Sequence, residues 1–170
     1  MEDIWKKLEA LSQEREGESL RLRKGNTEAE IAKAEKLMNL KFPNDFRKYL
    51  LTHNGQEDGR NRGPWLLGSL AEIIEQWKYE REVEEEYIEI SGEEYIENDT
   101  IQNRLNCPQW IPFLGAPYWD QDIAYVDLSP GPNGTMGQVI ALVSECDFEV
   151  IAPSFNAFLE RWLKEGEPIY

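Results

Sequence analysis

The sequence of 170 residues predicts a single α+β domain, in which a mainly antiparallel sheet is covered by helices. Three observations lead to this fold class. Helical periodicity of apolar residues dominates the first half of the chain. Short β-branched and aromatic runs, separated by Gly, Pro, Asn and Asp, dominate residues 110–152. A further helical stripe follows, so residues 1–170 are interpreted as helices packed on one sheet.

Residues 1–26 are interpreted as an N-terminal helix and a connector. Apolar residues from Ile4 to Leu11 recur with the spacing of one helix face, and we expect this helix to end near Gly17. The connector is polar and basic, and it leaves room for a short edge strand.

Two helices are predicted next. Thr27 and Glu30 have the spacing of a capping box, which predicts a helix start at Thr27. Pro43 disfavours helical backbone in the residue before it and suits a first turn, so a second helix is expected to begin there. Gly55 is interpreted as its left-handed stop, and His53 as a helix-end residue that the helix dipole favours as a cation.

A longer helix is predicted from the apolar stripe between Leu70 and Trp77, with Ser69 as its N-cap. We expect it to reach about Glu86. Beyond that point the pattern is ambiguous, because Ile88 and Ile90 favour a short strand.

Strands are predicted in residues 110–115, 123–128, 137–142 and 148–152, with a candidate strand in residues 65–67. Residues 129–134 form the expected hairpin loop between two of them. Several strands are almost wholly apolar, so the sheet should be covered. The predicted cover is a closing helix with its apolar stripe at Phe155, Phe158, Leu159 and Trp162.

The charge of the chain is large and unevenly distributed. The formal net charge is −15, and twelve acidic side chains between Glu72 and Asp99 stand against Lys78 and Arg81. Residues 78–109 are therefore interpreted as an acidic variable segment. This charge argues against a nucleic-acid partner, because phosphates need Lys and Arg. The acidic tract is interpreted either as a solvated helix face or as a surface that attracts a basic protein.

The sequence predicts a cytoplasmic protein without membrane contact. No apolar run approaches the ~20 residues of a membrane span, and the N-terminus does not resemble a signal peptide. The two cysteines, Cys107 and Cys146, are too few for a disulfide framework and are expected to be reduced thiols.

No enzyme, cofactor or metal site is predicted. The only histidine is His53, so neither a zinc site nor a Cys-His nucleophile has the ligands or base that it needs. Three Asp residues within 120–127 could gather around a hard cation, but their spacing does not match a calcium loop. Turn formation is the favoured interpretation for them.

The candidate partner-binding residues combine the acidic tract with an aromatic pair. Tyr118 and Trp119 lie in a polar turn beside carboxylates, which is typical of a protein-binding hot spot. The alternative is that both rings fold back onto the sheet. The full predicted set is Glu80, Glu82, Glu84, Glu85, Glu86, Glu89, Glu93, Glu94, Tyr118, Trp119, Asp120 and Asp122.

The chain also resembles the SMI1/KNR4 (SUKH) family over residues 27–163. The likeness rests on short motifs in a fixed order: Glu30 to Leu37, Phe42-Pro43-Asn44-Asp45-Phe46, Asn54-Gly55, Trp110-x-Pro112-Phe113, Asp127-Leu128-x-Pro130, Gly137-Gln138-Val139-Ile140 and Ser154-Phe155-x-x-Phe158-Leu159. Two departures, the acidic segment and residues 116–120, fall where partner specificity should vary.

This resemblance implies an α+β protein without known catalysis. Bacterial members resemble immunity proteins that neutralise a cognate toxin, often a nuclease, and fungal members are regulatory scaffolds linked to cell-wall synthesis. Because the chain has no long disordered flanks, we expect an immunity protein that binds a basic toxin domain. The alternatives are an intracellular regulator or scaffold of glucan synthesis, and a small-ligand binder that uses a cleft between the sheet and its loops.

Overall fold

The computed structural model describes residues 2–57, 66–91, 99–104, 106–117, 119, 122–144 and 147–169, and only the backbone at residues 2, 84–91, 144 and 147. These residues form five helices: α1 (Glu2–Glu16), α2 (Glu28–Met38), α3 (Asn44–Thr52), α4 (Leu70–Ser91) and α5 (Phe155–Glu165). They also form seven strands: β1 (Leu22–Lys24), β2 (His53–Gln56), β3 (Leu66–Leu67), β4 (Trp110–Ala116), β5 (Ala124–Asp127), β6 (Gln138–Ser144) and β7 (Asp147–Ala152).

The main sheet is a five-stranded antiparallel sheet in the order β3-β4-β5-β6-β7, so β5 is its central strand. A separate two-stranded antiparallel sheet pairs β1 with β2. The predicted α+β class and the predicted strands of the sheet are therefore confirmed. The short edge strand expected in the connector is β1.

The two faces of the sheet carry separate cores, because successive side chains of a strand point to opposite faces. On β5, Ala124 and Val126 join the larger core, whereas Tyr125 between them joins the smaller one. On β4, Ile111 likewise belongs to the larger core and Trp110 to the smaller one. The sheet is thus buried on both faces, as its nearly all-apolar strands predict.

Helices α1, α2, α3 and α5 cover the larger core, with the first turns of α4 beside them. The predicted stripe of α5 is confirmed, since Phe155, Phe158, Leu159 and Trp162 are all buried. Phe46 of α3 packs edge-to-face on the ring of Phe155, with an interplanar angle of 72° and ring centroids 5.2 Å apart. Such aromatic pairs add about 0.5–1.5 kcal/mol beyond their buried area, so they strengthen the attachment of these helices.

The predicted capping box at the start of α2 is confirmed. The hydroxyl of Thr27 accepts a hydrogen bond from the amide of Glu30, and the Glu30 carboxylate accepts one from the amide of Thr27 at 2.7 Å. Ser69 and Glu72 repeat this exchange at the start of α4. Both helices therefore begin where local sequence chemistry predicts.

The end of α3 differs from the prediction. The helix ends at Thr52, and His53 is both its C-cap, with its amide donating a hydrogen bond to the carbonyl of Tyr49, and the first residue of β2. Gly55 does adopt a positive φ of 70°, but inside β2, where a Cβ atom would lie 2.5 Å from the backbone of Gly68. The predicted helix-end position of His53 is confirmed, but its ring is half-buried edge-on to Trp5 and burial lowers its pKa, which opposes the charged form that the helix dipole would favour.

Helix α4 is longer than predicted. It runs to Ser91, so the strand suggested by Ile88 and Ile90 is wrong. The physical reason is that residues 70–91 contain no Gly or Pro and are rich in Glu, a strong helix former. At 22 residues the helix is about 33 Å long. Within the described part of the chain, no helix combines the length and apolar character needed to cross a membrane.

Candidate partner-binding site

A cavity of ≈ 190 Å³ lies between α4 and the sheet face that carries the smaller core. Four side chains of α4 line it, namely Gln76, Tyr79, Glu80 and Val83. Their spacing of i, i+3, i+4 and i+7 places them on one helix face. Tyr125, Leu142 and Phe148 line it from the sheet, and Trp119 closes one side.

Helix α4 connects the two cores. Leu70 and Ile73 in its first turns are buried in the larger core. Further along, Trp77 is fixed by a hydrogen bond of 2.9 Å from its indole N–H to the carbonyl of Pro108. The next turn brings Glu80 against Tyr125 of the smaller core, so the position of the cavity depends on packing at both ends.

Glu80 is a buried carboxylate, with 3% of its surface exposed. Its Oε1 accepts hydrogen bonds from Nε2 of Gln76 at 2.9 Å and from the hydroxyl of Tyr125 at 3.0 Å. Its Oε2 has no hydrogen-bond donor among the described residues. Burial raises the pKa of Glu80 to about 7, although the hydrogen bonds from Gln76 and Tyr125 and the charge of Arg81 oppose that rise.

Among the described residues, Arg81 forms an ion pair with Glu80, with Nη2 at 4.0 Å from Oε2. That guanidinium is engaged elsewhere. It donates a hydrogen bond to the carbonyl of Asn106 and lies over the ring of Trp77, 5.5 Å from the ring centroid. Arg81 therefore attaches α4 to Asn106 and forms only a long ion pair of 4.0 Å with Oε2 of Glu80.

The predicted partner-binding residues differ in their exposure to solvent. Glu80 was expected in an exposed acidic surface, but it is buried because its helix face packs on Tyr125. Glu82 is exposed on α4, and Asp122 is half-buried. Glu84, Glu85, Glu86 and Glu89 belong to α4 but their side chains lie outside the described residues, as do Glu93, Glu94, Tyr118 and Asp120 altogether.

Trp119 is half-buried and folds back onto the sheet. Its ring lies beside two glycines, so that an added Cβ would come within 3.0 Å of it at Gly68 and 3.3 Å at Gly115. It packs against the smaller core and also lines the cavity. The ring of Trp119 is therefore folded back onto the sheet and at the same time forms part of the cavity wall.

Sequence reasoning missed Gln76, Tyr79 and Tyr125 as site residues. One signal could have located Glu80 and its neighbours: Glu80 follows the buried Ile73 by seven residues, which puts both on one helix face. Tyr79, by contrast, is 61% exposed beside the cavity. A large exposed ring on an otherwise acidic helix is a second signal of a contact surface.

The other chemically interesting side chains have structural roles. Cys107 is buried with its thiol near the side-chain oxygens of Gln102 and Gln109, and burial raises its pKa, which opposes use as a nucleophile. Asp127 accepts hydrogen bonds from the amide of Ser129 and from Gln138, as a turn residue does. Among the described residues, no group of three His, Cys, Asp or Glu side chains could hold a metal ion.

Comparison with known proteins gives one family and two relatives. Residues 25–161 match the model of the SMI1/KNR4 family (SUKH-1). The chain is 30% identical over 151 residues to a cell wall biosynthesis/cell cycle regulator smi1 of Schizosaccharomyces pombe, covering 79% of this chain and 30% of that protein. It is 23% identical over 194 residues to a glucan synthesis regulatory protein of Neurospora crassa, covering 91% and 36%. The chain spans about a third of the length of these curated relatives.

Proposed function

Because this chain belongs to the SMI1/KNR4 family (SUKH-1), we propose that it is a non-enzymatic protein-binding domain with a regulatory role, of the kind named in its two fungal relatives, a cell wall biosynthesis/cell cycle regulator and a glucan synthesis regulatory protein. The observation that carries this proposal is the family match over residues 25–161. Both relatives are described as regulators and neither as an enzyme, which favours binding over catalysis.

The surface beside the cavity supports a protein partner. Tyr79 exposes 61% of its surface, and the exposed carboxylates Glu75 and Glu82 lie one turn away from it on α4. Exposed aromatic rings are enriched at protein interfaces. With a net charge of −15, the chain would draw a basic partner surface towards this face.

An immunity protein, expected from the sequence, is the second candidate. One observation favours it, namely the net charge of −15, which fits a toxin domain with a basic cleft. The regulatory role is preferred because both relatives are regulators from fungi. A cytoplasmic setting belongs to either candidate, and the free thiol of Cys107 supports it.

Affinity capture from a lysate of the chain's own source tests the proposal. The tagged chain is washed at low and at high salt, and retained proteins are identified by mass spectrometry. Recovery of cell-wall synthesis or signalling proteins supports the regulatory role. Recovery of a basic toxin domain supports the second candidate. A column that retains no protein at either salt concentration contradicts a protein-binding function.

Two variants locate the contact surface in the same experiment. Tyr79→Ala removes the exposed ring beside the cavity and should reduce capture several-fold, because interface tyrosines commonly contribute more than 1 kcal/mol. Met136→Ala is the matched control, since Met136 is 73% exposed in the loop between β5 and β6, away from α4. An equal loss of captured partner in both variants would show that the contact surface is not centred on Tyr79 of α4.

A further inference from the structure

We propose that the cavity beside Glu80 receives a single Lys or Arg side chain of the partner protein, whose cationic group pairs with Oε2 of Glu80. This inference rests on the proposed protein-binding function and specifies the chemistry that the partner must present. It is carried by three independent features of the described residues: an incompletely satisfied buried carboxylate, aromatic walls, and an acidic rim.

The carboxylate is the first feature. Glu80 is 3% exposed, and its Oε1 already accepts two hydrogen bonds. Oε2 has no donor among the described residues, and Arg81 approaches it only to 4.0 Å. A buried charge without a close partner is unfavourable, so a cation that enters the cavity and donates to Oε2 would gain a strong interaction there.

The walls are the second feature. Tyr79, Trp119, Tyr125 and Phe148 bring aromatic rings to the cavity. Ammonium and guanidinium groups are attracted to aromatic faces, and the apolar stem of Lys or Arg packs well against such surfaces. The cavity of ≈ 190 Å³ is of sufficient size, because a cavity of about 150 Å³ accommodates benzene. It reaches the surface at Tyr79, which is 61% exposed.

The acidic rim, formed by Glu75 and Glu82, favours a protein side chain over a free amine as the occupant of the cavity. Glu75 and Glu82 are exposed on α4 one turn before and one turn after Tyr79, so two carboxylates lie near this wall of the cavity. These charges favour a basic surface that extends beyond the inserted side chain. A free polyamine shares the chemistry of the inserted group but would leave the exposed ring of Tyr79 uncovered.

A direct titration tests the cavity. The ¹⁵N-labelled chain is titrated with n-butylammonium as a mimic of the lysine side chain, and with butan-1-ol as a neutral probe of similar length. We expect saturable shifts of the Trp119 indole N–H with n-butylammonium and not with the alcohol. Equal shifts with both probes, or none with n-butylammonium, would overturn the cation site.

Two matched variants separate the cavity from general surface charge. Glu80→Gln preserves the shape of the side chain and should weaken n-butylammonium binding by about tenfold or more, since hydrogen bonds to charged groups exceed neutral ones by about 1–2 kcal/mol. Glu160→Gln removes one exposed charge from α5, in the helical layer over the larger core, and should change binding less than about twofold. Equal effects of both variants would overturn the assignment to Glu80.

Capture of the natural partner decides the source of the cation. Loss of a retained protein in Glu80→Gln and in Val83→Lys, which adds a resident ammonium to the cavity, with retention in Glu160→Gln on α5, supports insertion of a partner side chain. Retention in all three variants overturns the inserted side chain, even if n-butylammonium binds. A wild-type column that retains nothing contradicts the proposed function instead, while the titration still reports on the cavity.

Discussion

The hydroxyl of Tyr125, on the central strand β5, donates a 3.0 Å hydrogen bond to Oε1 of Glu80, on helix α4. The two residues are 45 positions apart in sequence, and the bond joins the helix to the central strand on the sheet face that carries the smaller core. It also commits one carboxylate oxygen to a structural role and leaves the other for contacts at the cavity. Four predictions concern this bond, its carboxylate and a second buried glutamate.

The first prediction concerns the stability cost of Glu80. Its pKa is about 7 in the fold against an ordinary value of 4.5, so between these pH values the folded state binds more protons than the unfolded state. The free energy of unfolding therefore falls as pH rises through this window, by at most about 3 kcal/mol. Glu80→Gln should remove this fall, so it should be more stable than wild type at pH 8 and similar to it near pH 4.5.

Urea denaturation at several pH values measures this difference. Glu82→Gln controls for the loss of one negative charge, because Glu82 is exposed on the same helix. Its stability should run parallel to that of wild type. If Glu80→Gln is less stable than wild type at pH 8, its charge is better compensated than the geometry indicates.

The second prediction concerns the pH dependence of n-butylammonium binding. The probe pairs with ionised Glu80, whose pKa is about 7, so its affinity should fall about tenfold from pH 8 to pH 6. Of the described groups that face Glu80, neither changes charge in this range: Arg81 stays protonated and the pKa of Tyr125 is raised far above its ordinary value. His53, the one histidine, lies against Trp5 in the larger core.

Isothermal titration calorimetry at pH 6 and pH 8 checks this expectation. The primary ammonium keeps its proton at both values, since such groups titrate near pH 10 (about 10.4 for Lys). An affinity that does not change with pH would exclude Glu80 as the group that receives the probe.

The third prediction concerns Tyr125→Phe. The variant keeps the buried ring and removes the donor to Glu80, so at pH 8 it should lower the free energy of unfolding by about 1–2 kcal/mol. Tyr79→Phe is the matched control on the exposed side of the same cavity and should change stability by less than about 0.5 kcal/mol. Chemical denaturation distinguishes the two, and equal stabilities would show that the bond is replaced by another.

The fourth prediction concerns Glu35, the buried carboxylate of α2. Its Oε1 accepts a hydrogen bond of 2.9 Å from the amide of Phe42, and its Oε2 one of 3.1 Å from Lys41. Glu35→Ala leaves that buried amide without a partner and should lower the free energy of unfolding by about 1–3 kcal/mol. Lys33→Ala, an exposed site on the same helix, should have little effect in parallel melts.

Local chemistry explains what could be predicted from the sequence. The capping box of Thr27 and the stripe from Phe155 to Trp162 depend on residues three to seven positions apart, and both are confirmed. The end of α3 was mispredicted because Gly55 is required by a close approach to Gly68, a neighbour only in three dimensions. Burial of Glu80 likewise depends on Tyr125: the spacing from Ile73 indicates the helix face of Glu80, but not which distant residue will cover it.

The two-sided sheet has a consequence for how this domain can diversify. Most large side chains that hold the helices lie in the core on one face, whereas Tyr125, Phe148 and Trp119 lie on the other, beside the cavity. Substitutions at exposed positions around the cavity should therefore leave the packing of α1, α2, α3 and α5 on the larger core unchanged. Laboratory evolution of a new specificity should begin at the exposed wall of the cavity, at Tyr79, and keep the buried Tyr125 and Phe148 in place.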